Sequence, residues 1–150
     1  MHSPSSLNNS KMNKPLKITH LNCKSLRNKI IDTIDLINAE EIYILCLNET
    51  HLNENDHHTN SIICYNIIRN DRLHSRGGGV AIILKKTNQI QNNKSTKEAE
   101  YITIELKNNL KIMATYNHPK SKSNLNYIAD FVKNNNNVII LGRFNALSLL

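Results

Sequence analysis

Apolar and polar residues alternate through Leu16, Lys17, Ile18, Thr19, His20 and Leu21, the pattern of a half-buried strand. The period then changes. Leu26, Ile30, Ile34 and Ile37 fall near helical spacing on one face, so a helix is expected to begin at a Ser25 cap and to end near Asn38. Residues 42–47, IYILCL, form a short, continuously apolar run, as in a strand covered on both faces. A strand, a helical crossover and a second strand predict two parallel neighbours.

Beyond a polar loop over 53–60, strands are expected over 62–69 and 79–85. The three glycines at 77–79 suit a tight loop or bulge ahead of the second. Another polar loop is expected before the alternating stretch 101–106. Asn108 and Asn109 then offer the positive φ of a two-residue turn, returning the chain antiparallel over 110–116. Leu125, Ile128, Ala129 and Val132 mark a second helix, and residues 138–141 one more buried strand. No internal repeat or second domain is visible. Two helices packed on strands of mixed direction make an α+β sandwich over residues 16–150, preceded by a polar leader over 1–15 expected to be disordered.

Nineteen Lys and Arg against twelve Asp and Glu give the 150-residue chain a net charge of +7. That balance suits a polyanionic partner, nucleic acid first. No apolar run approaches the ~20 residues of a membrane span, and the first residues lack the apolar core of a secretory signal. A membrane protein and a signal-bearing secreted protein are excluded, and the expected location is intracellular, in nucleus or cytoplasm. Cys23, Cys46 and Cys64 form no C-x-x-C unit, so neither a zinc ribbon nor a dithiol redox pair is written here. Cys46, inside ILCL, reads as a small buried hydrophobe, and reduced thiols are expected.

Four segments place polar residues at the C-terminal ends of expected strands, where open sheets commonly build sites. They are His20-Leu21-Asn22-Cys23-Lys24-Ser25-Leu26, Leu45-Cys46-Leu47-Asn48-Glu49-Thr50, Thr115-Tyr116-Asn117-His118-Pro119 and Ile140-Leu141-Gly142-Arg143-Phe144-Asn145-Ala146. In this order they resemble the endonuclease/exonuclease/phosphatase superfamily. Within it, Arg69-Asn70-Asp71-Arg72 followed by Gly77-Gly78-Gly79-Val80-Ala81-Ile82 resembles the apurinic-type endonuclease domain of jockey-like and R1-like non-LTR retrotransposons.

The resemblance implies the N-terminal part of a four-layer α/β/β/α, DNase I-like sandwich with mixed sheets. It implies metal-dependent hydrolysis of a phosphodiester, with Mg²⁺ or Mn²⁺, nicking target DNA to prime reverse transcription from a transposon polyprotein. DNA is the implied partner of a monomer that uses no small-molecule cofactor. By resemblance Glu49 and Asn22 hold the metal, Tyr116 contacts the scissile phosphate, and Asn145 lies against the phosphate and the attacking water. Arg69, Arg72 and Arg76 are candidate DNA contacts, or only a solvated basic face. Asparagine occurs 25 times, so Asn22 and Asn145 stand on their motifs alone. The paired His57 and His58 read as solvated loop, and His20 and His118 as structural or surface residues.

Two departures matter. Where the family carries Gly-Asp-Phe-Asn, this chain has Gly142-Arg143-Phe144-Asn145, so a five-donor cation replaces the acid that orients or deprotonates the water. The family's later Asp-His segment is also absent from the sequence, which reads as a partial domain. The expectation is an inactive copy that exposes apolar surface along 101–106 and 138–141. The alternative expectation is a catalytically dead nucleic-acid-binding remnant.

Overall fold

A computed structural model describes residues 14–60, 62–73, 75–87, 90–118 and 123–144. The elements follow the chain as β1 (Ile18–Asn22), α1 (Ile30–Ala39), β2 (Ile44–Asn48), a 3₁₀ turn at His57–Asn60, β3 (Tyr65–Asn70), β4 (Val80–Lys85), β5 (Ile90–Thr96), β6 (Ala99–Leu106), β7 (Lys111–Tyr116), α2 (Ser123–Lys133) and β8 (Val138–Arg143). The expected leader over 1–15 falls, but for residues 14 and 15, outside the described residues.

The strands form two four-stranded sheets, ordered β1-β2-β4-β3 and β5-β6-β7-β8. In each, one edge strand is parallel to its neighbour through a helical crossover, β1 with β2 and β8 with β7, while the other pairings are antiparallel. Strand alternation decides the layers. Ile44, Cys46, Val80, Ile82 and Leu84 of the first sheet meet Ile102, Ile104, Ile112 and Ala114 of the second in one core. On the outer side of the first sheet, Leu45, Leu47, Ala81 and Ile83 pack with Ile37 and the half-buried Ile30 and Ile34 of α1. On the outer side of the second, Tyr101 and Met113 pack with Tyr127, Ile128 and Phe131 of α2. The order helix, sheet, sheet, helix is the four-layer α/β/β/α architecture. The continuous run ILCL follows from it, since β2 has protein on both faces and every one of its residues is buried.

Several sequence expectations are corrected. Ser25 does not cap α1. It and Lys24 take positive φ (87° and 45°), and the Ser25 and Leu26 amides donate to the carbonyls of Glu49 and Thr50 at 2.8 Å. Tertiary pairing thus holds residues 23–26 alongside the end of β2 and delays the helix to Ile30. Strand β5 occupies the expected polar loop: its Gln-Asn-Asn-Lys-Ser run is almost entirely exposed, and pairing with β6, interrupted by two register shifts, makes it a strand. The hairpin after β6 is a three-residue loop, with the Asn109 amide donating to Leu106 O at 2.9 Å and only Asn109 at positive φ. Strand β8 runs on to Arg143 and is half-buried, because it is a sheet edge. Residues 101–106 are not exposed: Tyr101, Ile102, Ile104 and Leu106 are all buried, between the first sheet and α2. The three cysteines are free, as expected, and burial pushes the Cys46 thiol up to about 12.

Gly142 sets how β8 meets β7. It lies opposite Thr115, and a Cβ there would sit 1.8 Å from the Thr115 carbonyl oxygen. Overpacking typically costs about 1–3 kcal/mol, and a backbone acceptor cannot swing away as a side chain does. Gly142→Ala should therefore lower the unfolding free energy from urea denaturation by an amount at or above the upper end of that range, seen as a lower midpoint. An unchanged midpoint would show that β8 is not held this tightly.

Candidate functional site

Parallel pairing puts the C-terminal ends of β1 and β2 side by side, with Asn22 opposite Asn48, and those of β7 and β8 likewise, with Tyr116 opposite Arg143. Asn48 joins the two pairs. It is wholly buried, its Nδ2 donates to Thr115 O at 2.7 Å, and its Oδ1 lies 3.0 Å from His20 Nε2. The sheets' apolar faces could slide over one another, but this directional bond fixes their offset. Consequently the four strand ends converge on one cleft.

The loops that line the cleft are strained. Glu49 and His51 take positive φ (56° and 52°), as do Lys24 and Ser25 across from them. For residues other than glycine this costs of order 1–3 kcal/mol each and persists only when the surroundings enforce it. The enforcement here is a backbone lattice: the Glu49 and Thr50 carbonyls accept from residues 25 and 26, and the His51 amide donates to Gly78 O at 2.9 Å. Gly79 is needed at this junction, for its φ is +88° and a Cβ would lie 2.4 Å from the Thr50 hydroxyl.

Arg143 reaches across the cleft, its Nη1 donating to Glu49 Oε1 at 2.8 Å. The Glu49 side chain is 16% exposed and that of Arg143 49%. Burial pushes the Glu49 carboxyl upward, but a hydrogen bond from Asn22, the Arg143 guanidinium and His51 together outweigh it and hold the group below the usual carboxylate range. A carboxyl with a lowered folded-state value contributes stability above its unfolded value, near 4.3, and loses it as pH falls through the folded value. The stability difference between the wild-type chain and Glu49→Gln should therefore be largest near neutral pH and close on acidification. Thermal melts across that range check it, and a gap that widens in acid would contradict the assignment.

Tyr116 borders the same cleft from β7. Arg72 lies over its ring, 5.6 Å from the centroid, and is itself held in two bonds to Glu100, at 3.0 and 2.7 Å. Glu100 also accepts the Gly79 amide at 2.7 Å. A cavity of about 350 Å³ opens here, lined by Arg72, Lys97, Glu100, Tyr116, His118 and Asn124 among others. A larger one of about 430 Å³ lies under α2 on the outer face of the second sheet, away from the strand ends.

The three candidate DNA-contacting arginines separate. Arg69 is a clamp: its guanidinium, 10% exposed, pairs with Asp71 and donates to Asp56 O, Thr59 Oγ1 and Asn53 O, tying down the loop before β3. Arg72 is committed to Glu100. Of the three, Arg76 alone is exposed. His20 is structural, bound to Asn48; His118 lines the cavity; His57 is exposed on the 3₁₀ turn. Asn145 lies outside the described residues. Sequence reasoning missed Asn48 and His51, although both stand within the segment Asn48-Glu49-Thr50-His51.

The donor set does not fit the implied divalent ion. Mg²⁺ takes near-octahedral oxygen coordination at about 2.1 Å, usually on one or two carboxylates. Among the described residues no three His, Cys, Asp or Glu side chains gather for a metal. The Glu49 carboxylate at the strand ends has Asn22 and Arg143 against it.

The fold is that of the endonuclease/exonuclease/phosphatase superfamily, DNase I-like, in its N-terminal part. Solved structures similar to the chain include the 3′ phosphatase NExo from Neisseria bound to a product DNA hairpin, at TM-score 0.64 and 15% identity over 87% of this chain and 58% of that one. An AP endonuclease from Archaeoglobus fulgidus matches at TM-score 0.60 and 18% identity, over 85% of this chain and 56% of that one. The endonuclease domain of TRAS1, a telomere-specific non-LTR retrotransposon, matches at 0.61 and 12% identity, over 89% and 61%. The chain thus spans less than two thirds of each of these structures. No family model matches it. No curated protein matches it either.

Proposed function

We propose that this chain is a nucleic-acid-binding derivative of a phosphodiester-cleaving nuclease, of the kind found in non-LTR retrotransposons, and that it does not cleave. Residues 16–150 are read as the N-terminal part of such a domain. The observation that carries the reading is the Arg143–Glu49 ion pair at the converged strand ends. The fold, the net charge of +7 and the cavity lined by Tyr116, the register partner of Arg143, support a phosphate-bearing ligand. Structures of similar fold include complexes with a product DNA hairpin and, for TDP2 from D. rerio, a single-stranded DNA product.

Inactivity follows from charge and proton chemistry. A water attacking a phosphodiester needs a proton acceptor and an electrophile that offsets the phosphate's charge. Arg143 accepts no proton at neutral pH and neutralises Glu49 directly. Among the described residues, no three His, Cys, Asp or Glu side chains gather where a metal could supply that electrophile. Fluorescence anisotropy with a labelled DNA duplex should show binding that weakens steeply with salt, while the same samples on a denaturing gel stay intact in Mg²⁺. Cleavage of the duplex that disappears in Glu49→Ala would reinstate the enzyme reading.

A further inference from the structure

We propose that the Arg143 guanidinium has taken the cation's place at Glu49, so that the cleft binds a nucleic-acid phosphate without divalent metal and keeps metal off the carboxylate. This rests on the nucleic-acid reading above and deepens it.

The placement of Arg143 is built into the fold. Its backbone carbonyl accepts the Asn117 amide at 2.8 Å, and Asn117 Nδ2 donates to the next carbonyl, that of Phe144, at 3.0 Å. The side chain therefore starts from a pinned strand end, directly opposite Tyr116 in register, and not from a free loop. Its partner is no solvated surface acid. Glu49 is mostly enclosed, on a backbone forced into the left-handed region, with the Asn22 amide on it as well. An exposed ion pair contributes little, whereas one whose acid is this enclosed is poorly screened and hard for a hydrated ion to displace.

The chemistry of the replacement favours an anion. Where a divalent ion between a carboxylate and a phosphate would bind both, a guanidinium offers the same bridge, with a planar fork matched to carboxylate and phosphate oxygens. The Arg143 side chain is about half exposed to solvent. Lys97 brings a cation to the cavity that Tyr116 and His118 also line. A metal arriving at Glu49 would meet the positively charged Arg143 guanidinium 2.8 Å from the carboxylate oxygen.

Two titrations on the full chain test this. Mn²⁺ binding is followed by electron paramagnetic resonance, and binding of a short labelled DNA duplex by anisotropy, in EDTA and in Mg²⁺ at matched ionic strength. The wild-type chain should bind no Mn²⁺ saturably and should bind the duplex equally in both buffers. Arg143→Ala should lose roughly tenfold in duplex affinity, with a salt slope lower by about one. It should also gain a saturable Mn²⁺ site that Arg143→Ala/Glu49→Gln lacks. Arg143→Lys, which keeps the charge without the fork, should still exclude Mn²⁺. Lys107→Ala, in the loop at the opposite end of β7, controls for the loss of one charge and should change duplex affinity far less. Wild-type duplex binding that requires Mg²⁺, a saturable wild-type Mn²⁺ site, or an Arg143→Ala chain indistinguishable from Lys107→Ala would each overturn the proposal alone. Failure of every variant to bind DNA would overturn the nucleic-acid reading and the phosphate part with it.

Discussion

Asn48→Asp should be among the most damaging single substitutions in the chain, costing about 3–5 kcal/mol at neutral pH, the range for a buried charge left without its partner. Asn48 is wholly buried and donates to the Thr115 carbonyl. A carboxylate of the same shape presents an acceptor to that acceptor and brings a charge into the interior. Protonation relieves both faults, so the variant should regain part of the lost stability as pH falls, opposite in sign to the Glu49 effect. Asn48→Leu removes the charge problem but leaves Thr115 O and His20 without that partner, at about 1–3 kcal/mol for each orphaned group. Chemical denaturation of the three chains at two pH values decides it. An Asn48→Asp chain as stable as the wild type would mean that the sheets' offset, and with it the approach of Arg143 to Glu49, is set elsewhere.

The β1-α1-β2 crossover was legible in the sequence because its periods differ so plainly: alternation, helical spacing, then an unbroken run. Strand β5 was not, because beyond Ile90 it is exposed up to its last residue and its asparagines carry no pattern; the partner strand makes it one. The Ser25 cap failed for a related reason, since hydrogen bonds to Glu49 and Thr50, far along the chain, overrode a local preference. At the cleft, the approach of Asn22, Glu49 and Arg143 could be anticipated from motifs that each end a strand, given a topology that brings those ends together. The arginines could not be sorted. Nothing local in Arg69-Asn70-Asp71-Arg72 shows that Arg72 belongs to Glu100 or that Arg69 holds the loop over 53–59. His51 and Asn48 were hidden by the glutamate between them, whose motif drew the attention.

The second large effect concerns catalysis itself. Loss of a positioned proton acceptor typically forfeits ~10²- to 10⁴-fold in rate, and here a guanidinium also neutralises the Glu49 carboxylate at the strand ends. Loss of charge compensation at the phosphate compounds that loss, because the attacking oxygen and the phosphate repel each other. Residual turnover should therefore fall below detection, and adding Mg²⁺ or Mn²⁺ should not recover it. The most direct measurement is conversion of supercoiled plasmid to nicked circles by the purified chain in Mg²⁺, read on an agarose gel beside a buffer control. The account predicts no nicking above that control; nicked circles that accumulate with the wild-type chain and vanish with Glu49→Ala would contradict it.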